Sequence, residues 1–140
     1  MTSPCWGRKL VRDRVRGCLP VTGRRLDGRL ILVVEDEPMV ALDMQNALRD
    51  AGARVVAAGM VEAGLFATEH PELSGAVIDV RLGTDNGTTV CRRLKQLGVP
   101  FVVYTGYPPL LVRAEFPDVP VISKPADPGQ VVAELARLLG

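Results

Sequence analysis

The stretch that most limits what this chain can fold into is RLILVVEDEP, Arg29 to Pro38. Leu30 to Val34 are five consecutive apolar residues, three of them β-branched, and such a run reads as a strand buried on both faces. It stops abruptly at Glu35-Asp36-Glu37, with Pro38 next. Pro38 suits the first position of a helix, where a missing N–H is harmless and acidic residues complement the helix dipole. Carboxylates therefore gather at the C-terminal edge of a central strand as a helix begins, and that is the edge where open parallel α/β sheets bind ligands.

The rest of the chain repeats the same alternation. Val40, Met44, Ala47, Leu48 and Ala51 fall on one helical face, and Gly52 follows as a stop signal. Arg54 to Ala58 reads as a second strand, Val61 to Glu69 as a short helix closed by His70-Pro71, and Gly75 to Val80 as a third strand carrying Asp79. Arg81 to Asn86 is turn-rich, and Gly87 precedes a helix with Val90, Leu94 and Leu97 on one side. Phe101 to Tyr104 is a fourth strand, and Tyr107 to Pro117, bounded by prolines, has space for little more than two helical turns. Val119 to Ile122, interrupted by Pro120, reads as an edge strand, and Val131, Leu135, Leu138 and Leu139 mark a last amphipathic helix. Five strands alternating with helices predict an α/β, doubly wound, flavodoxin-like (βα)5 fold with a parallel sheet of order 2-1-3-4-5, strands one and three flanking the switch point.

Charge divides the chain at this body's start. Residues 1–28 hold seven basic residues (Arg8, Lys9, Arg12, Arg14, Arg16, Arg24, Arg25) against Asp13 and Asp27, while the whole chain carries a net charge of only +1. A basic extension over 1–28, expected to be disordered and not a nucleic-acid-binding arm, is thus joined to a mildly acidic domain over 29–140. No apolar run approaches the roughly 20 residues of a membrane span, and the N-terminus lacks a secretory apolar segment, so a cytoplasmic protein is expected. Cys5, Cys18 and Cys91 have neither metal-type spacing nor an even count, which argues against a disulfide framework. Cys91 reads as a helix packing residue and His70 as a helix-end residue.

The predicted order brings together Glu35 and Asp36 after strand one, Asp79 after strand three, Thr105 after strand four and Lys124 after strand five. Carboxylates about 4 Å apart repel by about 4 kcal/mol per pair at an effective dielectric near 20, so protons or a cation must compensate. A hard, all-oxygen site open to water suits Mg²⁺. Lys124 offers a point charge and Thr105 a hydroxyl to a phosphoryl oxygen, with the backbone N–H groups of Arg81 and Gly106 completing a cradle. Asp79, alone at its strand end, is the candidate nucleophile for phosphoryl transfer.

VVEDEP, VIDVRL, YTG and SKP, in this order and spacing, resemble the receiver domain of two-component response regulators over about residues 29–139. The resemblance implies that Glu35 and Asp36 hold Mg²⁺, that Asp79 is the phosphoacceptor, and that Arg81 offers its backbone carbonyl to the metal. It further implies that Thr105 is the switch hydroxyl, that Lys124 contacts phosphate, and that the Lys124-Pro125 bond is cis. Val99 to Tyr107, VPFVVYTGY, is similar to stand-alone receivers with a Pro-Phe-x-Phe-Ala-Thr-Gly-x-Tyr-like signature.

Two departures stand out. The positions that commonly supply an aromatic switch partner hold Val121 and Ile122, leaving Tyr104 or Tyr107 as its replacement. Leu82-Gly83 stands where Met-Pro is usual. The expectation is a single-domain response regulator, not an enzyme, taking a phosphoryl group on Asp79 from a sensor histidine kinase or phosphotransfer protein and signalling by protein contact. The chain's end at Gly140 leaves no output domain in that expectation. Its rival is a pseudo-receiver that binds without phosphorylation. A haloacid-dehalogenase-type phosphohydrolase needs Asp-x-Asp after strand one, and here Asp36 is followed by Glu37 and Pro38.

Overall fold

A computed structural model of the chain describes residues 25–82 and 85–140. Its main sheet is built from β1 (Leu30–Val34), β2 (Arg54–Ala58), β3 (Leu73–Ile78), β6 (Phe101–Thr105) and β7 (Val121–Ser123). The two short strands β4 (Arg81–Leu82) and β5 (Asp85–Asn86) form a separate antiparallel pair. The main sheet runs β2-β1-β3-β6-β7 with every pairing parallel, which is the expected order 2-1-3-4-5 once its five strands are numbered by themselves.

The helices are α1 (Pro38–Asp50), α2 (Val61–Ala67), α3 (Thr88–Leu97), α4 (Pro109–Glu115) and α5 (Pro128–Leu139). Alternation along β1 explains how they form two layers. Ile31 and Val33 point into a core shared with Met44 and Leu48 of α1 and Val131, Val132 and Leu135 of α5. Leu32 and Val34 point the other way, toward Val90 and Leu94 of α3 and Val112 of α4. All five residues of β1 are buried, so this strand is covered on both faces as its sequence requires.

Local chemistry sets the helix ends. Pro38 and Pro128 occupy first-turn positions, and the Asp127 side chain caps α5 by accepting the Gly129 N–H at 2.8 Å. Gly98 ends α3 at φ +72, a left-handed backbone that favours glycine. No helix among the described residues is long and apolar enough to cross a membrane.

Several boundaries move from their expected places. β3 begins at Leu73, not Gly75, because Leu73 already pairs with Leu30 and an irregularity then sets Ile31 opposite Gly75. Val80 lies beyond its end, yet remains buried. Arg81 to Asn86 is not all turn but folds back as the β4–β5 pair. Leu97 is 42% exposed, and Cys91 takes the buried place beside Val90 and Leu94. Pro120 stays outside β7, its carbonyl accepting the Val103 N–H at 3.0 Å, which suits a residue with no donor of its own.

The packed body also starts earlier than residue 29. Leu26 is completely buried in the α1/α5-side core, and its N–H bonds the Ala51 carbonyl at 2.8 Å. Of the basic extension expected over 1–28, residues 1–24 lie outside the described residues.

Candidate functional site

The ends of β1, β3, β6 and β7 open onto one cleft. Its volume is about 410 Å³, and it is lined by Asp36, Glu37, Asp79, Arg81, Gly106 and Lys124. The sheet aims the acids into it: the N–H of Glu35 continues the ladder to the Ala58 carbonyl at 3.0 Å, and that of Asp79 to the Val34 carbonyl at 2.9 Å. Both carboxylates are buried, whereas Asp36 faces solvent. One oxygen from each of Glu35, Asp36 and Asp79 lies within 4.8 Å of the others.

Lys124 reaches over this group from the end of β7. Its ammonium lies 2.8 Å from Glu35 Oε1, 3.0 Å from Asp79 Oδ2 and 3.5 Å from Glu37 Oε1. Its own N–H bonds the Thr105 carbonyl at 2.9 Å, and the following Lys124-Pro125 peptide is cis. Asp79 Oδ1 accepts the Arg81 N–H at 2.9 Å.

Electrostatics follow from this crowding. Burial is the largest influence on Glu35 and pushes its carboxyl up to about 7; the hydrogen bonds from Lys124 and the Glu37 N–H only partly oppose it. Burial works against the charge of Lys124 too, but the hydrogen bonds and charges of Glu35 and Asp79 outweigh it and hold the ammonium above its ordinary value. With one lysine among three gathered carboxylates, the cluster keeps excess negative charge and offers only hard oxygen donors. That donor set fits a small divalent cation.

Thr105 is fully buried at the end of β6, and its hydroxyl accepts the Tyr107 N–H at 3.1 Å. Gly106 forms part of the cleft wall, with open space where a Cβ would stand. The residues singled out from the sequence, Glu35, Asp36, Asp79, Arg81, Thr105, Gly106 and Lys124, thus converge on one rim.

Three more residues join the site in three dimensions. Glu37 is a third carboxylate within reach of Lys124. Gly87 backs the end of β3 so closely that an added Cβ would lie 2.5 Å from the Asp79 carbonyl oxygen. Tyr104 places its ring 5.6 Å from the Lys124 ammonium and its hydroxyl on the backbone of Ala126. A glycine at a strand-to-helix turn was a readable hint for Gly87; nothing in the sequence pointed to the Tyr104 contact with Ala126. Tyr107 instead sits half-buried beneath the Arg81 guanidinium, 5.6 Å from its ring centre.

Residues 31–136 match the family described as the response regulator receiver domain. The chain is 31% identical over 135 residues to the phyllosphere-induced regulator PhyR of Methylorubrum extorquens, an alignment covering 91% of this chain and 51% of that protein. The chain therefore spans about half the length of that relative. Among solved structures, a response regulator receiver protein from Sinorhizobium medicae superposes with a TM-score of 0.74 at 26% identity, covering 81% of this chain and 96% of the other. The response regulator PhyR from Brucella abortus shares the fold at a TM-score of 0.71 and 24% identity, covering 84% of this chain and 51% of the other.

Proposed function

Because the chain belongs to the response regulator receiver family of two-component signalling, we propose that Asp79 accepts a phosphoryl group from a phosphohistidine of a sensor kinase or phosphotransfer protein. The observation that carries this reading is the convergence of Asp79 with Glu35 and Asp36 inside 4.8 Å, under a lysine 3.0 Å from Asp79. In the transfer, the P–N bond of the donor breaks with its electron pair staying on the imidazole, and a P–O bond forms to an Asp79 carboxylate oxygen.

The carboxylates of Glu35, Asp36 and Asp79 and the carbonyl of Arg81 would hold Mg²⁺, which supplies positive charge to the phosphoryl oxygens when bound. Lys124 leaves its carboxylate partners and turns its ammonium to one phosphoryl oxygen. The N–H of Gly106, a residue of the cleft lining, is offered to another. The Thr105 hydroxyl gives up the Tyr107 N–H and donates to the phosphoryl group, which shifts a two-state equilibrium of the turn before α4. Hydrolysis of the same acyl phosphate resets the site. Output then passes through contact with a protein partner; the likeness to a protein named as a regulator supports a regulatory role.

Incubation with Mg²⁺ and a small phosphodonor, read by intact mass, tests this. Wild type gains one phosphoryl group and Asp79→Asn gains none. An equal adduct on the variant rules out Asp79 as acceptor, and no adduct on wild type favours a binding module that works without phosphorylation.

A further inference from the structure

Lys124 is a flexible side chain, and in this structure it is held mainly by the carboxylates it must leave when a phosphoryl group and a cation occupy the cleft. Its position afterwards has to be fixed from elsewhere. β6 does so through two consecutive residues. The Thr105 carbonyl accepts the Lys124 N–H at 2.9 Å. Two residues beyond Lys124 on the same loop, the Ala126 carbonyl accepts the Tyr104 hydroxyl at 2.9 Å, and the Ala126 N–H donates back to that hydroxyl at 3.2 Å.

Alternation along the strand makes this possible. Tyr104 points into the α1/α5-side core with Val102, where only 7% of it is exposed, and the depth of that core sets the height of its hydroxyl under the loop. Its ring lies 5.6 Å from the Lys124 ammonium, inside the range where an aromatic face attracts a cation. One side chain thus clamps the loop that carries the lysine and lies beside the lysine's charge.

We infer that Tyr104 is the positioning residue for Lys124, keeping its ammonium aimed at the cleft through the bidentate clamp on Ala126. This rests on the phosphoacceptor role of Asp79. A hydroxyl with both partners satisfied fixes the loop where a ring alone leaves it free to slide, so Tyr104→Phe isolates the clamp while keeping the packing.

The test compares phosphorylation rates with phosphoramidate and Mg²⁺, followed by intact mass, for wild type, Tyr104→Phe, Lys124→Ala and the double variant, with thermal unfolding as the check on folding. Tyr104→Phe is expected to slow transfer roughly three- to tenfold, the rate equivalent of one lost net hydrogen bond. It is expected to add no further slowing to Lys124→Ala, which separates an action through the lysine from a general loosening of β6. The same slowing factor in both backgrounds, or no slowing in either, overturns the inference. A second arm needs no phosphorylation: the backbone amide resonances of Pro125's neighbours Lys124 and Ala126 report the clamp directly, and the Ala126 N–H, which donates to the Tyr104 hydroxyl at 3.2 Å, should shift and exchange faster with solvent in Tyr104→Phe. Unmoved resonances overturn the clamp even where wild type takes up no phosphate, and wild type without an adduct but with moved resonances overturns only the phosphoacceptor reading.

Discussion

Glu35 gives the metal-free protein a pH dependence opposite to that of an ordinary paired carboxylate. The residue is 6% exposed, and burial raises its carboxyl from the ordinary 4.5 to about 7 despite the lysine beside it. The folded state therefore holds this proton more tightly than the unfolded chain does. Stability from this group is fully present below about pH 4.5 and is lost as pH rises through about 7. The whole difference is on the order of 3 kcal/mol. Glu115, held below the usual range by its hydrogen bond to Arg92, has the opposite sign but acts only below 4.5, outside this window. Lys124, raised above its ordinary value of 10.5, acts only in strong base. Urea denaturation in a chelating buffer should thus show falling stability between about pH 5 and about pH 8. Mg²⁺ at a hundred times its dissociation constant should restore about 2.7 kcal/mol at the alkaline end, where the carboxylates are free to bind it. Glu35→Gln should flatten the metal-free profile. A wild-type profile that is level or rising over this range, or a Glu35→Gln profile as steep as wild type, refutes the reasoning.

Two further substitutions test the scaffold. Leu26→Ala empties a completely buried position outside the expected domain boundary and should destabilise by about 2–5 kcal/mol in urea denaturation, whereas an extension irrelevant to folding would show no change. Gly87→Ala sets a methyl group 2.5 Å from the Asp79 carbonyl oxygen and 3.0 Å from Val80 Cα. It should lower stability by about 1–3 kcal/mol and slow phosphodonor labelling at Asp79; unchanged labelling would show that the end of β3 yields without moving its carboxylate.

The fold was legible because its strands are buried on both faces and so appear as unbroken apolar runs, and because proline or glycine punctuates nearly every helix end. The rim residues were legible for the same reason: each ends a strand or follows directly on one, so ordering the strands also places Glu35, Asp79 and Thr105. The features that escaped depend on three dimensions. Leu73 pairs with Leu30 through an irregular register that no local pattern marks. Leu26 is a single apolar residue among arginines and glycines, and only its contact with α1 and α5 reveals its place in the core. Leu97 satisfied the helical period but is the last residue of α3 and 42% exposed, so the period alone overstated its burial. The Tyr104 clamp joins residues 22 apart in sequence through one hydroxyl, beyond the reach of any spacing rule.

The same strand that delivers Thr105 to the cleft also separates two routes by which an event there can spread. Thr105 is tied forward: its hydroxyl holds the Tyr107 N–H, and Tyr107 leads through Pro108 into α4, whose Leu110 and Leu111 are 77% and 60% exposed. Tyr104 is tied sideways, to the loop between β7 and α5. If a phosphoryl group on Asp79 draws the Thr105 hydroxyl inward, the bond it must give up is the one leading to α4, while the Tyr104 clamp and the bond from the Lys124 N–H to the Thr105 carbonyl stay whole. In that case the change runs toward α4, a short helix that presents two exposed leucines, while the loop that carries Lys124 stays tied to β6.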